Sequence, residues 1–490
     1  MNAEQYIPPW SSPYIIGIAG LSGSGKTTVA QEIISSINEP WTVLLSLDNF
    51  YNELTPEQKE RAYNSAYDFD HPDAVDMDLI YESLKSIKQG KRTDIPVYSF
   101  TSHSRVPDEK ITIYGANVVI IEGIFTLYSQ KILDLMDCKV FVDTDIDICY
   151  TRRLLRDIVH RGREISSVIK QWDTFVKPNA VSYLLPTRAN ADIVIPRGSD
   201  NYIALEFLIE HLKRQLHKKS IQHVQHLKSL GRQIKPVNWS QVHILENTNQ
   251  LKAIKTIILD KQSSIDDFIF YFNRIASILI SESLNYATYT PGSEFSPPKS
   301  ITTPVGVTLP TKDAWFLTSD VVAVSIIRSG DCFIRSIRRI IPSARIGKLL
   351  IQTDSRTGEP QLHTEKLPVV SKETKILLFD AQTISGAAAI MAIKVLLDHG
   401  VEESQIVLVS YTATEIGIRR IFNAFPQVEL VVACIGSRIT HIDSIMETSD
   451  DISPKFVGDS HINNKEHDVN SDDDWWMSNR FIDNVYFGTI

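Results

Sequence analysis

The chain has 490 residues, 43% of them hydrophobic and 22% charged, enough to bury sizeable cores in roughly two to four domains. A formal net charge of -9 argues against a general nucleic-acid or anionic-membrane surface, so anionic ligands must be met by local basic clusters. Cys138, Cys149, Cys332 and Cys434 lie far apart with no C-x-x-C pair, which speaks against a zinc ribbon or disulfide framework and for reduced thiols.

The opening MNAEQYIPPWSSPY lacks the basic, apolar, small-residue order of a secretion signal, and residues 1–13 are expected to be a tail. Charges such as Glu122 and Arg274 break the strongest apolar runs before membrane-spanning length, so a cytoplasmic protein with no membrane partner is expected. From Tyr14 to about Leu216, strand-like runs (YIIGIA, WTVLLSL, ANVVIIEG, CKVFVDT, ADIVIP) alternate with helical stretches. That alternation predicts an α/β domain with a mostly parallel sheet.

Between the first strand and first helix stands GLSGSGKTT, comprising Gly20, Leu21, Ser22, Gly23, Ser24, Gly25, Lys26, Thr27 and Thr28, which fits G-x-x-x-x-G-K-[ST]. Such a loop points backbone N–H groups at phosphate oxygens in front of a helix N-terminus. Lys26 would reach the β/γ-phosphates of a nucleoside triphosphate, and Thr27 would offer its hydroxyl to Mg²⁺. Glu122, after NVVII, would complete the Mg²⁺ shell, with a plain strand-end carboxylate as the alternative. No N-K-x-D motif follows an apolar strand, since Asn464 and Lys465 lie in an acidic segment; a GTPase is therefore disfavoured.

Asp48, in SLDNFY, follows the second strand at the edge where parallel sheets gather ligands, and is the candidate base for an attacking hydroxyl. On its own such an Asp is equally a turn former or helix cap. RRLLRDIVHRGR supplies the local basic cluster. Arg153 and Arg156 share a helix face from which guanidinium forks reach triphosphate oxygens, whereas Arg152 is expected to pair with Asp145, Asp147 or Asp157 on a solvated face.

LSLDNFY, YDFDHPDAVD, IPVYSFTSHSR, IIEGI, FVDTD, RRLLRD, HRGRE and IPRGSDN occur in the order found in uridine kinases, which the segment from Tyr14 to about Leu216 resembles. The resemblance implies ATP-dependent phosphorylation of uridine and cytidine in pyrimidine salvage, with Asp48 as base for the ribose 5′-hydroxyl. It also implies that Asp70 accepts hydrogen bonds from the 2′- and 3′-hydroxyls, and that Tyr98, Phe100 and His103, helped by Tyr51, frame the pyrimidine. Arg153, Arg163 and Gln171 would line a lid over nucleoside and nucleotide, and Asp200 would lie near the ATP base. A homo-oligomer is likewise implied.

HKKSIQHVQHLKSLGRQIKP, within 217–236, reads as a connection, either free or extending the preceding helix. A second α/β pattern follows over 237–490. It opens with a helix carrying Phe268, Phe272, Ile275 and Leu279 toward a core, and continues with strands VVAVSII, KLLIQT, KILLFD, QIVLVSY and VELVVACI. Residues 447–474 are acidic and polar, the composition of a mobile insertion. TTPVG, IIRSG, PSARIG, EKLP, ILLFDAQTISGAAA and YFGT make this half similar to uracil phosphoribosyltransferases.

Three motifs depart from that family. After Asp380, the T-G-G-[ST] phosphate loop reads Ser385, Gly386, Ala387, Ala388; R-D-E reads Thr353, Asp354, Ser355; and G-D-R reads Asp483, Asn484, Val485. Arg328 still matches a ribose-pyrophosphate contact. With a flexible glycine, a hydroxyl donor and a cation replaced, the second domain is expected to keep the fold without the transfer. A bifunctional enzyme and a nucleotide-sensing regulator without turnover are the competing readings.

Overall fold

The computed structural model describes residues 6–64, 66–100, 102–160, 162–232, 239–286, 300–310, 321–354, 357–372, 374–436 and 481–489. The acidic segment 447–474, residues 233–236 and Ser355 lie outside the described residues. Two compact units divide the chain, one of Ile7–Ser220 and one of Tyr6 with the chain from Ile221 onward.

The first unit runs β1 (Tyr14–Gly20), α1 (Lys26–Ile37), β2 (Thr42–Ser46), α2 (Pro56–Tyr63), α3 (Met77–Lys88), β3 (Thr93–Ser99), β4 (Ser104–Ile113) and β5 (Val118–Glu122). It continues with α4 (Gln130–Leu133), β6 (Cys138–Asp143), α5 (Ile146–Leu155), α6 (Ile165–Gln171), α7 (Lys177–Asn179), β7 (Ile193–Pro196) and α8 (Tyr202–Arg232). The sheet order is β2-β5-β1-β6-β7, every pair parallel. Its strands read as unbroken apolar runs because both faces are covered.

Alternate residues serve opposite layers, as a period of two requires. Ile15, Ala19, Val119 and Ile121 pack with Ile80, Leu84 and Ile87 of α3, whereas Ile16, Ile18, Val118 and Ile120 pack with Val29 and Ile33 of α1 and Leu208 and Leu212 of α8. β3 and β4 form a separate antiparallel hairpin, anchored where Arg105 donates to Asp76, the N-cap of α3, and to the Tyr51 carbonyl. Stretch 217–232 continues α8 as helix, so the division between units falls inside that element.

The second unit runs β8 (Val242–Ile244), α9 (Asn249–Leu259), α10 (Ile265–Ser283), β9 (Ser300–Thr302), β10 (Thr308–Pro310), β11 (Val321–Ile327), α11 (Ile334–Ile340), β12 (Arg345–Thr353) and β13 (Pro360–Lys366). Then follow β14 (Lys375–Phe379), β15 (Gln382–Thr383), α12 (Ala387–Asp398), β16 (Ile406–Thr414), α13 (Glu415–Ala424), β17 (Glu429–Gly436) and α14 (Ile482–Tyr486). Its sheet, ordered β13-β12-β11-β14-β16-β17-β8, is parallel except for β13 at one edge. All five strand runs read from the sequence here are strands of this sheet.

On α10, Phe268, Phe272, Ile275 and Leu279 are all buried, as their helical spacing predicts. Tyr6 belongs to this unit: its hydroxyl meets His223 Nε2 at 2.9 Å, and His223 Nδ1 meets Glu359 Oε1 at 2.7 Å. Among the described residues no helix is long and apolar enough to cross a membrane. Phe272 is fully buried, with ring centroids of Phe333 and Tyr486 at 5.5 and 5.7 Å. Phe272→Ala is expected to destabilise the second unit by about 3–5 kcal/mol, read as an earlier denaturant-unfolding transition.

Candidate active site

The phosphate loop begins where β1 ends. Gly23 has φ 88° and Gly25, N-cap of α1, has φ 96°, conformations that side chains disfavour. At Gly23 a Cβ would also lie 2.5 Å from the Cys149 carbonyl oxygen. Ser24 N–H donates to the Leu21 carbonyl at 3.0 Å, and the Thr144 hydroxyl donates to the Ser24 carbonyl at 3.0 Å. Ser22, Lys26 and Thr27 line a cleft of about 660 Å³, while Gly20, Leu21, Gly23, Ser24 and Gly25 complete the loop and Thr28 lies in the first turn of α1.

The Lys26 ammonium, nearly buried, donates to the Leu21 carbonyl at 3.0 Å. Burial lowers its pKa, opposed by the carboxylates of Glu122 and Asp48. These two come from neighbouring strand ends, because β2 and β5 pair Ser46 with Glu122. Ser46 Oγ donates to Glu122 Oε1 at 3.1 Å and accepts the Asp48 N–H at 3.4 Å, in the 3-10 turn Leu47–Phe50. Both carboxylates line the cleft. Thr27 and Glu122 are hard oxygen donors suited to Mg²⁺ arriving with phosphate, and the described residues contain no cluster of three or more His, Cys, Asp or Glu that would make a self-sufficient metal site.

Asp70 lines the cleft from a loop before α3 and is 8% exposed. Burial raises its pKa, and Arg153, whose Nη1 lies 3.6 Å from Oδ1, opposes the rise. The loop is fixed through Asp68, which accepts the Asp70 N–H at 3.0 Å and both contacts from Asn179 Nδ2 at 2.9 and 2.8 Å. Asp68 and Asn179 were not singled out in the sequence, although Asp68 stands inside YDFDHPDAVD.

An aromatic wall stands beside Asp70. His103 stacks on Phe69 at 5.3 Å and meets Tyr63 edge-on at 5.2 Å, and Tyr51 packs on Tyr98, Phe100 and Phe69. Tyr51, Phe100 and His103 line the cleft; Tyr98 stands behind Tyr51. Burial first, then Asp48 and Asp70, pushes the Tyr51 phenol well above its usual range. Burial, then Arg163, lowers the His103 pKa. His103 Nδ1, in the wall, and Tyr98 Oη, behind it, are each buried without a hydrogen-bond partner among the described residues. Phe69, Tyr67 and Tyr63 also line the cleft and were missed, since isolated aromatics read as core.

The basic cluster closes the cleft. Arg153, on α5, donates through Nη1 to Ser22 Oγ at 3.0 Å, which ties the loop to the Asp70 side. Arg163 Nη1 reaches Gln171 Oε1 at 3.5 Å, and Arg156 also lines the cleft. Arg152 differs from expectation: it pairs with Asp200 at 2.8 Å, a partner 48 positions away that no local spacing reveals. Asp200 itself is exposed in the 3-10 turn Gly198–Asp200 ahead of α8 and is not part of the cleft lining.

In the second unit, Asp380 is 1% exposed, accepting from Ser329 Oγ at 2.7 Å and Thr383 Oγ1 at 3.4 Å. Gly386 has φ 75°, and α12 begins at Ala387 with Ala388 buried. Arg328 donates to Asp483 Oδ2 at 3.2 Å and Asn484 Oδ1 at 2.5 Å, the residues standing in the altered G-D-R segment.

A glycine loop on a helix N-terminus, facing strand-end carboxylates under a guanidinium lid, makes the first unit a P-loop phosphotransferase. Residues 15–204 match the Phosphoribulokinase / Uridine kinase family, and residues 244–456 match Uracil phosphoribosyltransferase. The chain is 52% identical to a uridine kinase of Saccharomyces cerevisiae over 86% of its own length and 84% of the relative's. It is 40% identical to mouse uridine-cytidine kinase-like 1 (92% and 82% covered) and 39% identical to uridine-cytidine kinase A of Dictyostelium discoideum (92% and 88%). The chain belongs to the uridine kinase family, in the form with a uracil phosphoribosyltransferase-type C-terminal half.

Gly23→Ala is expected to weaken ATP binding on the order of tenfold or more through backbone strain of about 1–3 kcal/mol. Titration calorimetry checks this; unchanged affinity would show that the loop tolerates a Cβ against Cys149.

Proposed function

We propose that this protein phosphorylates uridine and cytidine at the 5′-hydroxyl, with ATP as donor, to give UMP and CMP for pyrimidine salvage. The observation that carries the reading is that Asp48, Asp70, Lys26 and Arg153 line one cleft with an aromatic wall holding an unpartnered imidazole nitrogen. The names of the relatives support the same substrates.

The nucleoside is held by its ribose diol on Asp70 and by its base between the aromatic rings, with the polar edge on His103. A buried carboxylate left unpaired by a deoxyribose would cost affinity, which gives ribose selectivity. Asp48 orients the 5′-hydroxyl in line with the γ-phosphorus and takes its proton as the O–P bond forms and ADP leaves. In a loose transition state that positioning outweighs proton removal. Lys26 and Arg153 offset charge on the moving phosphoryl group. Mg²⁺ bound with ATP, held by Thr27 and Glu122, would neutralise the β/γ-oxygens. Asp200 would lie toward the ATP base.

For the second domain we favour retention without uracil transfer. The groups matching a phosphoribosyl pyrophosphate site are engaged internally, Asp380 by two hydroxyls and Arg328 by the Asp483–Asn484 segment. The proteins are expected to assemble as homo-oligomers in the cytoplasm.

Purified protein tested with uridine or uracil as acceptor and ATP or phosphoribosyl pyrophosphate as donor should make UMP from uridine and ATP alone. UMP from uracil and phosphoribosyl pyrophosphate would establish the bifunctional reading, and no turnover in any combination would leave a nucleotide sensor. Asp48→Asn should lower kcat by about 10²–10⁴-fold with ATP binding largely kept. Asp70→Ala should erase the preference for uridine over 2′-deoxyuridine, measured as the ratio of kcat/KM values.

A further inference from the structure

Directly after α5 the helix widens into a π-helical turn, Arg156–His160, a form that recurs at functional sites. It carries Asp157, whose carboxylate is fully buried among guanidinium groups. Oδ1 accepts from Arg156 Nε at 3.0 Å; Oδ2 lies 3.7 Å from Arg153 Nε and 3.4 Å from Arg163 Nη1. The Asp157 backbone carbonyl also accepts the Arg163 N–H at 3.0 Å, so Arg163 is gripped at two points.

Three cations this close repel one another, and a fully buried carboxylate without partners is costly; each side makes the other tolerable. The two outer guanidiniums face different halves of the cleft. Arg153 reaches Ser22 of the phosphate loop and Asp70, and Arg163 reaches Gln171. Both arginines converge on one anion that is absent from the cleft lining.

We infer that Asp157 is a positioning residue for phosphoryl transfer: it holds Arg153 against the phosphate loop and Arg163 against the acceptor side, coupling the two halves of the cleft without touching substrate. This rests on the kinase reading above for the identity of the acceptor. Its chemistry explains why a carboxylate, which would weaken a triphosphate site if it faced the ligand, stands inside the basic cluster.

The test is a double-mutant cycle on the full chain, with Asp157→Asn, Arg153→Ala and the double variant, reading kcat, uridine KM and ATP affinity by calorimetry. Asp157→Asn should lower kcat on the order of 10²-fold, the scale of a small misplacement of catalytic groups, and weaken ATP binding. In the Arg153→Ala background the same change should cost only the few-fold that acts through Arg163, because one of the two arginines it positions is gone. Losses that multiply, or an Asp157→Asn enzyme with wild-type kcat, KM and ATP affinity, would overturn the inference. If wild-type protein binds ATP but does not turn over uridine, the proposed function falls, while the affinity cycle still decides the role of Asp157. Should Asp157→Asn fail to fold, Asp157→Glu keeps the charge one methylene displaced: a smaller kcat loss that shrinks further in the Arg153→Ala background supports the role, and wild-type parameters refute it.

Discussion

The register of β1 between β5 and β6 is the constraint on which the catalytic unit depends. Ile18 pairs with Glu122 on one side and Gly20 with Val142 on the other, so the phosphate loop leaves the sheet beside the strand ends that deliver Glu122 and Asp48. A Cβ on Gly20 would lie 2.6 Å from the Val142 carbonyl, and one on Gly198 would lie 2.5 Å from the Ser24 carbonyl. The loop is thus held by backbone on two sides. Close backbone packing of this kind suits a preorganised anion site.

Charge is then arranged around that fixed loop. An acidic chain concentrates Lys26, Arg153, Arg156 and Arg163 at one cleft and balances them with Asp48, Asp70, Glu122 and the hidden Asp157. The carboxylates divide by exposure to the ligand. Asp48, Asp70 and Glu122 line the cleft with Lys26 beside them; Asp157 is withdrawn among guanidiniums, off the cleft lining.

Most of this was legible in the sequence for a physical reason: strands buried on both faces must be continuous apolar runs, and a phosphate loop must have glycine where φ is positive. The β3–β4 hairpin was less legible, because much of β4 faces solvent and carries charges that blur its alternation. The helical course of 217–232 was left open because Leu216, Val224, Leu227 and Leu230 are buried among basic and polar residues, with Gly231 as a false stop. Pairings set by tertiary approach, Arg152 with Asp200 and Asp68 with Asn179, leave no local signature at all.

In the second unit the core and the altered motifs draw on different residues. Its stability resides in a core of Phe268, Phe272, Ile275, Phe333, Phe379 and Tyr411, none of which belongs to the altered motifs. The alanines after Asp380 lie outside that core, and Ala388 and Ala389 are buried on α12. A buried Asp380 stripped of ligand would be costly, but Ser329 and Thr383 satisfy it; a cationic Arg328 would be loose, but Asp483 and Asn484 hold it. Internal partners of this kind keep the buried polar groups of the altered motifs satisfied within the fold itself, so these positions can vary without a penalty to the architecture.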